Sequence, residues 1–235
     1  MSSPAPPQFS LVIPAYNEES RITTLFDAID SFEGELLVVC DGTDRTADVV
    51  ERIAATRTDL HMRCLRFPER LGKGGGVLAG LAAARGEYVG YFDADGSTSI
   101  GEMKRLFPYL ADNDAAIGSR WVPGSTLHIR QSFMRRLESR AFNLIIRLLF
   151  GLGFSDTQCG AKVFRRTAIE AVLGDMKTRG FEFDVELLWR MKTRGFRVIE
   201  IPIAWQNRGD SRVRKSDMIG MFAGLIRLRF GPGPV

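Results

Sequence analysis

Short apolar runs alternate with helix-patterned segments as far as residue 95, and this alternation constrains the fold more than any other feature of the chain. The apolar runs, which are predicted to be buried strands, cover residues 9–14, 36–40, 62–67 and 88–93. Helices are predicted between them, near residues 18–30, 46–56 and 72–84. Strands that alternate with helices indicate βαβ units. The predicted fold class is therefore α/β, a Rossmann-like, doubly wound and mostly parallel sheet with helices on both faces.

Three of the predicted strands end in polar loops, at residues 14–18, 41–45 and 93–97. The carboxyl ends of parallel strands meet at one edge of the sheet, where open α/β sheets bind ligands. We therefore expect the three loops to form one site. Within the first loop, Asn17 is expected to cap the helix that follows.

The third loop carries two carboxylates, Asp93 and Asp95, directly after a buried aromatic strand. At the edge of a sheet, two carboxylates one residue apart can place hard oxygen ligands on one divalent cation. Asp and Gly are also favoured in surface turns. The motif by itself leaves a metal site and a turn both open.

A glycine-rich run at residues 72–76 contains Lys73 and opens a predicted helix. It resembles a phosphate-binding loop but lacks the spacing of a P-loop and follows no strand directly. A tight turn into the helix is an equally good interpretation.

Composition limits the class of protein. A chain of 235 residues is long enough for one well-cored domain, with residues 1–8 predicted as a disordered Pro-rich tail. The three cysteines are odd in number and lack C-x-x-C spacing, which favours buried thiols in a reducing compartment over a disulfide frame or a zinc site. We expect neither a signal peptide nor a transmembrane helix, because no apolar run is long enough.

The net charge of +4 conceals a basic second half. Residues 120–147 hold six Arg or Lys against one acid, and residues 190–229 hold ten against three. A phosphorylated substrate, an anionic membrane or a nucleic acid can each explain this excess. No nucleic-acid-binding signature accompanies the charge, so no nucleic-acid partner is predicted.

The motifs, taken in order, resemble the family 2 glycosyltransferases of GT-A fold, and most closely their polyprenyl-phosphate (dolichyl-phosphate) sugar synthase branch. The matching stretches are VIPAYNEE at 12–19, DGTD at 41–44, GKGG at 72–75, DAD at 93–95, GSR at 118–120, DTQCGAK at 156–162, FDVELL at 183–188 and SRV at 211–213. The resemblance extends from about residue 9 to residue 215, the GT-A domain that it implies. Residues 216–235 would then form a C-terminal amphipathic helix and tail.

On the donor side, the resemblance implies a nucleotide sugar, GDP-mannose or UDP-glucose, bound with Mg²⁺ or Mn²⁺. The residues implied to contact the donor are Pro14, Tyr16, Glu18, Asp41, Lys73, Ala94 and Asp95. The implied metal ligands are Asp93, Asp95 and Ser97. Two positions depart from the family pattern: many relatives have Gln where Ser97 stands, and a carboxylate where Cys40 stands.

On the acceptor side, the resemblance implies that a polyprenyl phosphate is held by Arg120, Arg135, Ser139 and Arg212. Arginine suits this role because its planar fork makes paired hydrogen bonds to phosphate oxygens. The residues implied to be catalytic are Asp93, Asp95 and Arg120.

Two stretches, 132–149 and 218–230, have apolar residues at helical spacing beside arginines. This pattern is typical of an interfacial helix and equally of a helix packed on a core. The implied location is cytoplasmic, with peripheral association to the cytoplasmic face of a membrane.

The implied reaction moves a hexose, mannose or glucose, to the phosphate of a polyprenyl phosphate with inversion at the anomeric carbon. A phosphate acceptor is already anionic and requires no general base. Transfer to a sugar hydroxyl is the alternative, and it would require a base such as Asp184. A nucleotidyltransferase and a non-catalytic binding module are weaker alternatives.

Overall fold

The computed structural model describes residues 7–127, 133–206 and 215–231, and the side chains of residues 133–141 and 215–219 lie outside this description. The strands are β1 Phe9–Ala15, β2 Glu35–Cys40, β3 His61–Arg66, β4 Tyr88–Phe92, β5 Ala115–Ser119, β6 Thr126–Leu127, β7 Ala161–Arg165, β8 Val198–Pro202 and β9 Ala204–Trp205. The helices are α1 Ile22–Asp27, α2 Thr46–Thr56, α3 Gly72–Ala83, α4 Ile100–Leu106, α5 Phe133–Phe150, α6 Arg166–Leu173, α7 Phe183–Thr193 and α8 Lys215–Phe230. A 3₁₀ helix, Phe107–Ala111, follows α4.

Seven strands form the main sheet in the order β3-β2-β1-β4-β7-β5-β8. Neighbours are parallel except at β7, which lies antiparallel to both β4 and β5. The chain reverses its direction of winding at β1, whose neighbours are β2 on one side and β4 on the other. The predicted α/β class and mostly parallel sheet are confirmed.

Side chains along β1 alternate between two apolar cores, as expected for a strand that is buried on both faces. Leu11 and Ile13 lie in the core under α1, α2 and α4, whereas Val12 lies in the core under α3, α6 and α7. A third core joins β5 to α5, α7 and α8. The packing that holds the sheet therefore also fixes the carboxyl ends of its strands.

Glycines let helix α3 pack close to strand β1 and to helix α7. A Cβ added to Gly80 would lie 2.2 Å from Val12 Cγ1, and one added to Gly74 would lie 2.5 Å from Phe183 Cβ. Gly72 has φ +76°, in the left-handed region that favours glycine. The glycines of the 72–76 run thus serve the turn and the close packing of the helix.

The predicted cap at Asn17 is wrong. Helix α1 begins only at Ile22, and Asn17 has φ 53° in the loop before it. Its Oδ1 atom accepts hydrogen bonds from the backbone N–H groups of Thr43, at 2.9 Å, and Asp44, at 3.3 Å. Asn17 therefore joins two loops of the sheet edge, because a polar side chain in a loop satisfies whichever backbone donors are near.

All three cysteines are free thiols, and two of the three are buried as predicted. Cys40 and Cys159 are buried, and Cys64 is half-buried with its Sγ atom 3.7 Å from that of Cys40. The first six residues of the predicted tail lie outside the described part of the chain, and the predicted domain boundaries stay predictions.

Candidate active site

The segment before α3 joins the first two loops of the sheet edge. Asp41 is buried, and its Oδ2 atom accepts a hydrogen bond from the backbone N–H of Leu71 at 2.8 Å. The neighbouring Arg70 stacks its guanidinium on Tyr16, with Cζ 4.3 Å from the ring centroid. Two residues of the predicted donor site, Tyr16 and Asp41, thus contact one short segment. Arg70 was missed by sequence reasoning, although a basic residue just before a glycine-rich run was a usable signal.

Two further donor-site residues also lie at this edge. Pro14 is the last residue but one of β1 and lies beside Val39 of β2, and an added Cβ on Gly76 of α3 would lie 3.7 Å from the Cβ of Pro14. Glu18 is buried, and its carboxylate accepts hydrogen bonds from Arg21 Nε and Nη2 at 2.8 and 2.9 Å. The structure therefore places Pro14 under α3 and pairs Glu18 with a cation.

Asp93 follows β4 and lies between a lysine and a glycine. Lys73 Nζ is 3.0 Å from Asp93 Oδ1, and a Cβ added to Gly160 would lie only 2.0 Å from Asp93 Oδ2. Burial lowers the pKa of Lys73, but the attraction of Asp93, Asp184 and Asp95 outweighs it, and the net pKa is raised. Lys73 therefore stays protonated at this carboxylate-rich edge.

Asp95 is held by the backbone of its own loop. Its Oδ1 atom accepts a hydrogen bond from the backbone N–H of Ser97 at 2.9 Å. Ala94 and Ser97 are both buried, and the Ser97 carbonyl accepts a hydrogen bond from the backbone N–H of Gln206 at 2.9 Å. The loop is thus fixed from β4 to the segment that follows β9.

The donor set fits a divalent cation that is shared with a substrate. Within the described residues, no group of three or more His, Cys, Asp and Glu side chains is placed to hold a metal. Asp93 and Asp95 supply two carboxylates, and Mg²⁺ is typically bound by one or two carboxylates together with substrate phosphates. Asp93 and Asp95 would hold such an ion, and a diphosphate would complete its ligands.

Arg120 lies at the carboxyl end of β5, across the sheet edge. Asp156 accepts hydrogen bonds from its Nε and Nη2 atoms at 2.7 and 2.9 Å, and the guanidinium also lies over Trp205, 5.4 Å from the ring centroid. Glu200 in turn accepts from the backbone N–H of Asp156 at 2.8 Å. Asp156 and Trp205 therefore orient Arg120, and Glu200 in turn holds Asp156.

The remaining acceptor-site residues lie wholly or partly outside the part of the chain that the structure describes. Arg135 and Ser139 lie in α5, but their side chains are outside the described residues, as is the whole of Arg212. Their predicted contacts with a phosphate stay predictions.

Asp184, the candidate general base, lies buried under the edge. Its Oδ1 atom accepts hydrogen bonds from Lys162 Nζ, at 2.5 Å, and from the hydroxyl of Tyr91. Burial, and then the Asp184 carboxylate, raise the pKa of Tyr91 well above its ordinary value, so that hydroxyl keeps its proton and donates. Asp184 therefore has two buried donors on one oxygen. We call Tyr91, Lys162 and Asp184 the buried triad.

Helices α5 and α8 each carry exposed apolar side chains, which we call together the α5–α8 face. The two helices meet through Ile146, Phe150 and Leu225 in the third core, and Arg229 Nε donates to the carbonyl of Leu149 at 2.9 Å. Five of the exposed large apolar side chains lie on them: Leu144, Leu148, Phe222, Ile226 and Phe230. Both stretches predicted as amphipathic are helices, each with one core-packed side and one exposed apolar side.

None of the helices in the described part of the chain is long and apolar enough to cross a membrane.

Comparison with protein families gives a match to the model described as glycosyl transferase family 2, over residues 10–173. Glycosyltransferase AglD of Haloferax volcanii is 34% identical over 232 residues, which are 94% of this chain and 36% of that protein. The chain thus spans about a third of that relative. Dolichyl-phosphate beta-glucosyltransferase ALG5C of Trichomonas vaginalis is 32% identical over 96% of this chain and 72% of its own length. The dolichyl-phosphate beta-glucosyltransferase of Saccharomyces cerevisiae is 30% identical over 94% and 73%.

Solved structures share the fold at lower identity. Glucosyl-3-phosphoglycerate synthase from Mycobacterium tuberculosis, in complex with UDP, has a TM-score of 0.68 and 20% identity, covering 97% of this chain and 82% of that one. The mannosyltransferase PcManGT from Pyrobaculum calidifontis, in complex with GDP-Man and Mn²⁺, has a TM-score of 0.65 and 23% identity, covering 97% and 66%.

Proposed function

Because the chain belongs to glycosyl transferase family 2, we propose that it transfers glucose from UDP-glucose to the phosphate of a polyprenyl phosphate such as dolichyl phosphate. The names of the relatives from Trichomonas vaginalis and Saccharomyces cerevisiae, both dolichyl-phosphate beta-glucosyltransferases, support glucose as the sugar and dolichyl phosphate as the acceptor. Membership of the family also favours glycosyl transfer over nucleotidyl transfer.

The observation that carries the choice of acceptor is that Asp184 is buried and hydrogen-bonded within the protein. A hydroxyl acceptor needs a group that removes its proton, and a base must reach that proton. Asp184 is 1% exposed, and one of its oxygens is shared by Lys162 and Tyr91. A phosphate monoester is already anionic near neutral pH and needs no such base. The geometry therefore favours a phosphate acceptor.

The donor would bind along the edge formed by β1, β2 and β4. Tyr16, Asp41 and the adjoining Arg70 would face the nucleoside, and Lys73 would oppose the charge of the diphosphate. Asp93 and Asp95 would hold Mg²⁺ or Mn²⁺, which when bound stabilises the departing diphosphate as a Lewis acid. An oxygen of the acceptor phosphate would attack the anomeric carbon from the face opposite the diphosphate, which inverts that centre as the carbon–oxygen bond to the diphosphate breaks.

Arg120 would meet the acceptor phosphate. Asp156 engages the Nε and Nη2 side of the guanidinium, which leaves Nη1 outside the pair. Arg135, Ser139 and Arg212 are proposed to complete the phosphate site. A cation that is already oriented loses little freedom when it binds a phosphate.

The lipid acceptor would be reached from a membrane surface. Leu144 and Leu148 are 57% and 77% exposed, and Phe230 is 68% exposed. The exposed arginines Arg147 and Arg227 lie on the same two helices. An apolar surface flanked by cations suits the interface of an anionic leaflet. We place the enzyme at the cytoplasmic face of a membrane as a peripheral protein, in keeping with its three free thiols.

The test is an assay with labelled UDP-glucose and GDP-mannose against three acceptors: a short polyprenyl phosphate, the matching polyprenol and a free sugar. We expect glucose on the polyprenyl phosphate, in the β configuration by NMR, and loss of turnover when EDTA removes divalent metal. Asp95→Asn should lower kcat by about 100-fold or more, since it removes one of the two charged ligands that would hold the cation at the diphosphate. Asp112→Asn, at an exposed carboxylate outside the site, is the control. Transfer to a hydroxyl in preference to the phosphate would overturn the proposal.

A further inference from the structure

Two members of the buried triad, Tyr91 and Lys162, lie on the pair of strands that leads to the loop of Asp93. Strand β7 pairs antiparallel with β4, and Tyr91 is opposite Lys162. Asp93, two residues after Tyr91, lies against Gly160, two residues before Lys162. Tyr91 lies in the core under α3 and Asp93 pairs with Lys73 of α3, so both side chains are directed to the α3 face of the sheet.

The two oxygens of Asp93 have different neighbours. Oδ1 is 3.0 Å from the ammonium of Lys73. Oδ2 lies so close to Gly160 that an added Cβ would be 2.0 Å away. The Oδ2 side of the Asp93 carboxylate therefore packs directly on the backbone of Gly160.

The peptide between Cys159 and Gly160 is held by a buried cation. Lys162 is fully buried, and its Nζ atom donates to the Cys159 carbonyl at 2.6 Å and to Asp184 Oδ1 at 2.5 Å. Asp184 is in the first turn of α7, so one ammonium connects the loop before β7 to a helix of the neighbouring layer. An apolar side chain of similar length would have no donor for either oxygen.

We infer that Lys162 is a positioning residue for the donor site: anchored by Asp184, its ammonium fixes the Cys159–Gly160 peptide directly, and that peptide sets the place of the Asp93 carboxylate. Tyr91 supports the same arrangement by donating to Asp184 from the opposite strand. This inference rests on the proposed function, in which Asp93 binds the cation that the diphosphate also coordinates.

Gly160→Ala tests the last link without disturbing the buried charges. The backbone of Gly160 is outside the left-handed region, so alanine is tolerated there, and the atoms that must give way belong to the Asp93 carboxylate. We expect the dissociation constant for a nucleoside diphosphate with Mn²⁺ to rise about tenfold or more, as for other groups that orient metal ligands. The unfolding midpoint of the ligand-free protein should change little. Gly153→Ala is the matched control, because nothing lies within 4 Å of its added Cβ.

Lys162→Met tests the first link. Its matched control is Arg190→Met, which breaks another ion pair of α7, that of Arg190 Nη2 with the buried Glu186 at 2.6 Å. Both variants should lower the unfolding midpoint, but only Lys162→Met should weaken Mn²⁺-dependent binding of the nucleotide, again by about tenfold or more.

Binding is measured by isothermal titration calorimetry with UDP and with GDP, each with and without Mn²⁺. The nucleotide that binds the wild-type protein is then used for the variants. Absence of Mn²⁺-dependent binding to the wild type would overturn the proposed function and this inference with it. Wild-type affinity in both Gly160→Ala and Lys162→Met would overturn the positioning role alone. If Lys162→Met fails to fold, the result for Gly160→Ala decides.

Discussion

Asp156 grips Arg120 with both carboxylate oxygens: Oδ2 accepts from Nε at 2.7 Å and Oδ1 accepts from Nη2 at 2.9 Å. The backbone N–H of Arg120 also donates to Oδ2, at 3.0 Å. The carboxylate is 1% exposed and the arginine side chain 18% exposed. Paired hydrogen bonds of this kind fix the plane of the guanidinium as well as its position.

Replacing Arg120 by lysine should therefore impair the acceptor more than the donor. Lysine keeps the charge but loses the planar fork that Asp156 orients. We expect the KM for polyprenyl phosphate to rise about tenfold, equivalent to about 1.4 kcal/mol, with the KM for the nucleotide sugar nearly unchanged. Steady-state kinetics with each substrate varied in turn provide the measurement. Arg105→Lys, at an exposed arginine of α4, is the control, and an equal rise in both KM values would contradict the assignment.

The free energy of unfolding should depend on pH through the ionisation of Asp156. Burial raises the pKa of Asp156, but the adjacent Arg120 guanidinium lowers it by more, so the folded-state pKa is below its ordinary value. The ion pair therefore stabilises the fold above the unfolded pKa of about 3.9, and this contribution is lost as the pH falls through the folded pKa.

Asp156→Asn should lower the free energy of unfolding at pH 7 by about 3 kcal/mol, because it leaves a poorly exposed cation without its partner. The gap between wild type and variant should narrow as the pH falls below about 4. Urea unfolding at a series of pH values measures both quantities. A gap that stays constant down to the acid transition would contradict the lowered pKa.

Asp41 should contribute to stability as an acceptor of a backbone hydrogen bond. Asp41→Ala leaves the N–H of Leu71 without the bond that it makes at 2.8 Å, and we expect a loss of about 1–3 kcal/mol. Asp41→Asn keeps an oxygen in place and should lose less. Both are measured by urea unfolding. Thermal-shift measurements with nucleotide and Mn²⁺ then report donor binding, which should weaken in Asp41→Ala. An Asp41→Ala protein as stable as the wild type would show that this hydrogen bond does not stabilise the fold.

The α5–α8 face should be required for membrane binding. Leu148 is 77% exposed, so Leu148→Glu should leave the fold intact. The transfer of one leucine side chain into lipid contributes about 1.5–3 kcal/mol, and we expect partitioning to vesicles of anionic phospholipid to fall by at least about tenfold. Co-sedimentation at low and high salt provides the measurement, and high salt should weaken binding by the wild type. Tyr109→Glu replaces an exposed apolar side chain elsewhere on the surface and is the control. Equal binding by Leu148→Glu and the wild type would exclude the α5–α8 face as the membrane-binding surface.

Much of the fold could be predicted because its signals are local. Helix α2 lies at Thr46–Thr56, the predicted range, and β1, β2 and β3 begin and end within one residue of their predicted bounds. The membership in family 2 that the motifs implied is confirmed by the family model. The roles given to individual site residues stay predictions.

Hydrogen bonds between residues that are far apart in the sequence could not be predicted. Tyr91 and Asp184 are separated by 93 residues, and nothing near either residue indicates that they share a hydrogen bond. The predicted role of Asn17 failed for the same reason, since its hydrogen-bond partners lie on the next loop, 26 and 27 residues away.

The sequence by itself determined the alternation of strands and helices, and with it the edge where the loops of Tyr16, Asp41 and Asp93 meet. These features follow from apolar periodicity, which is a property of short stretches of chain. The tertiary structure alone decided which charges are paired: Lys73 with Asp93, and Asp184 with Lys162. Ion pairs form between groups that folding brings within a few ångströms and removes from water, and the order of residues along the chain specifies neither condition.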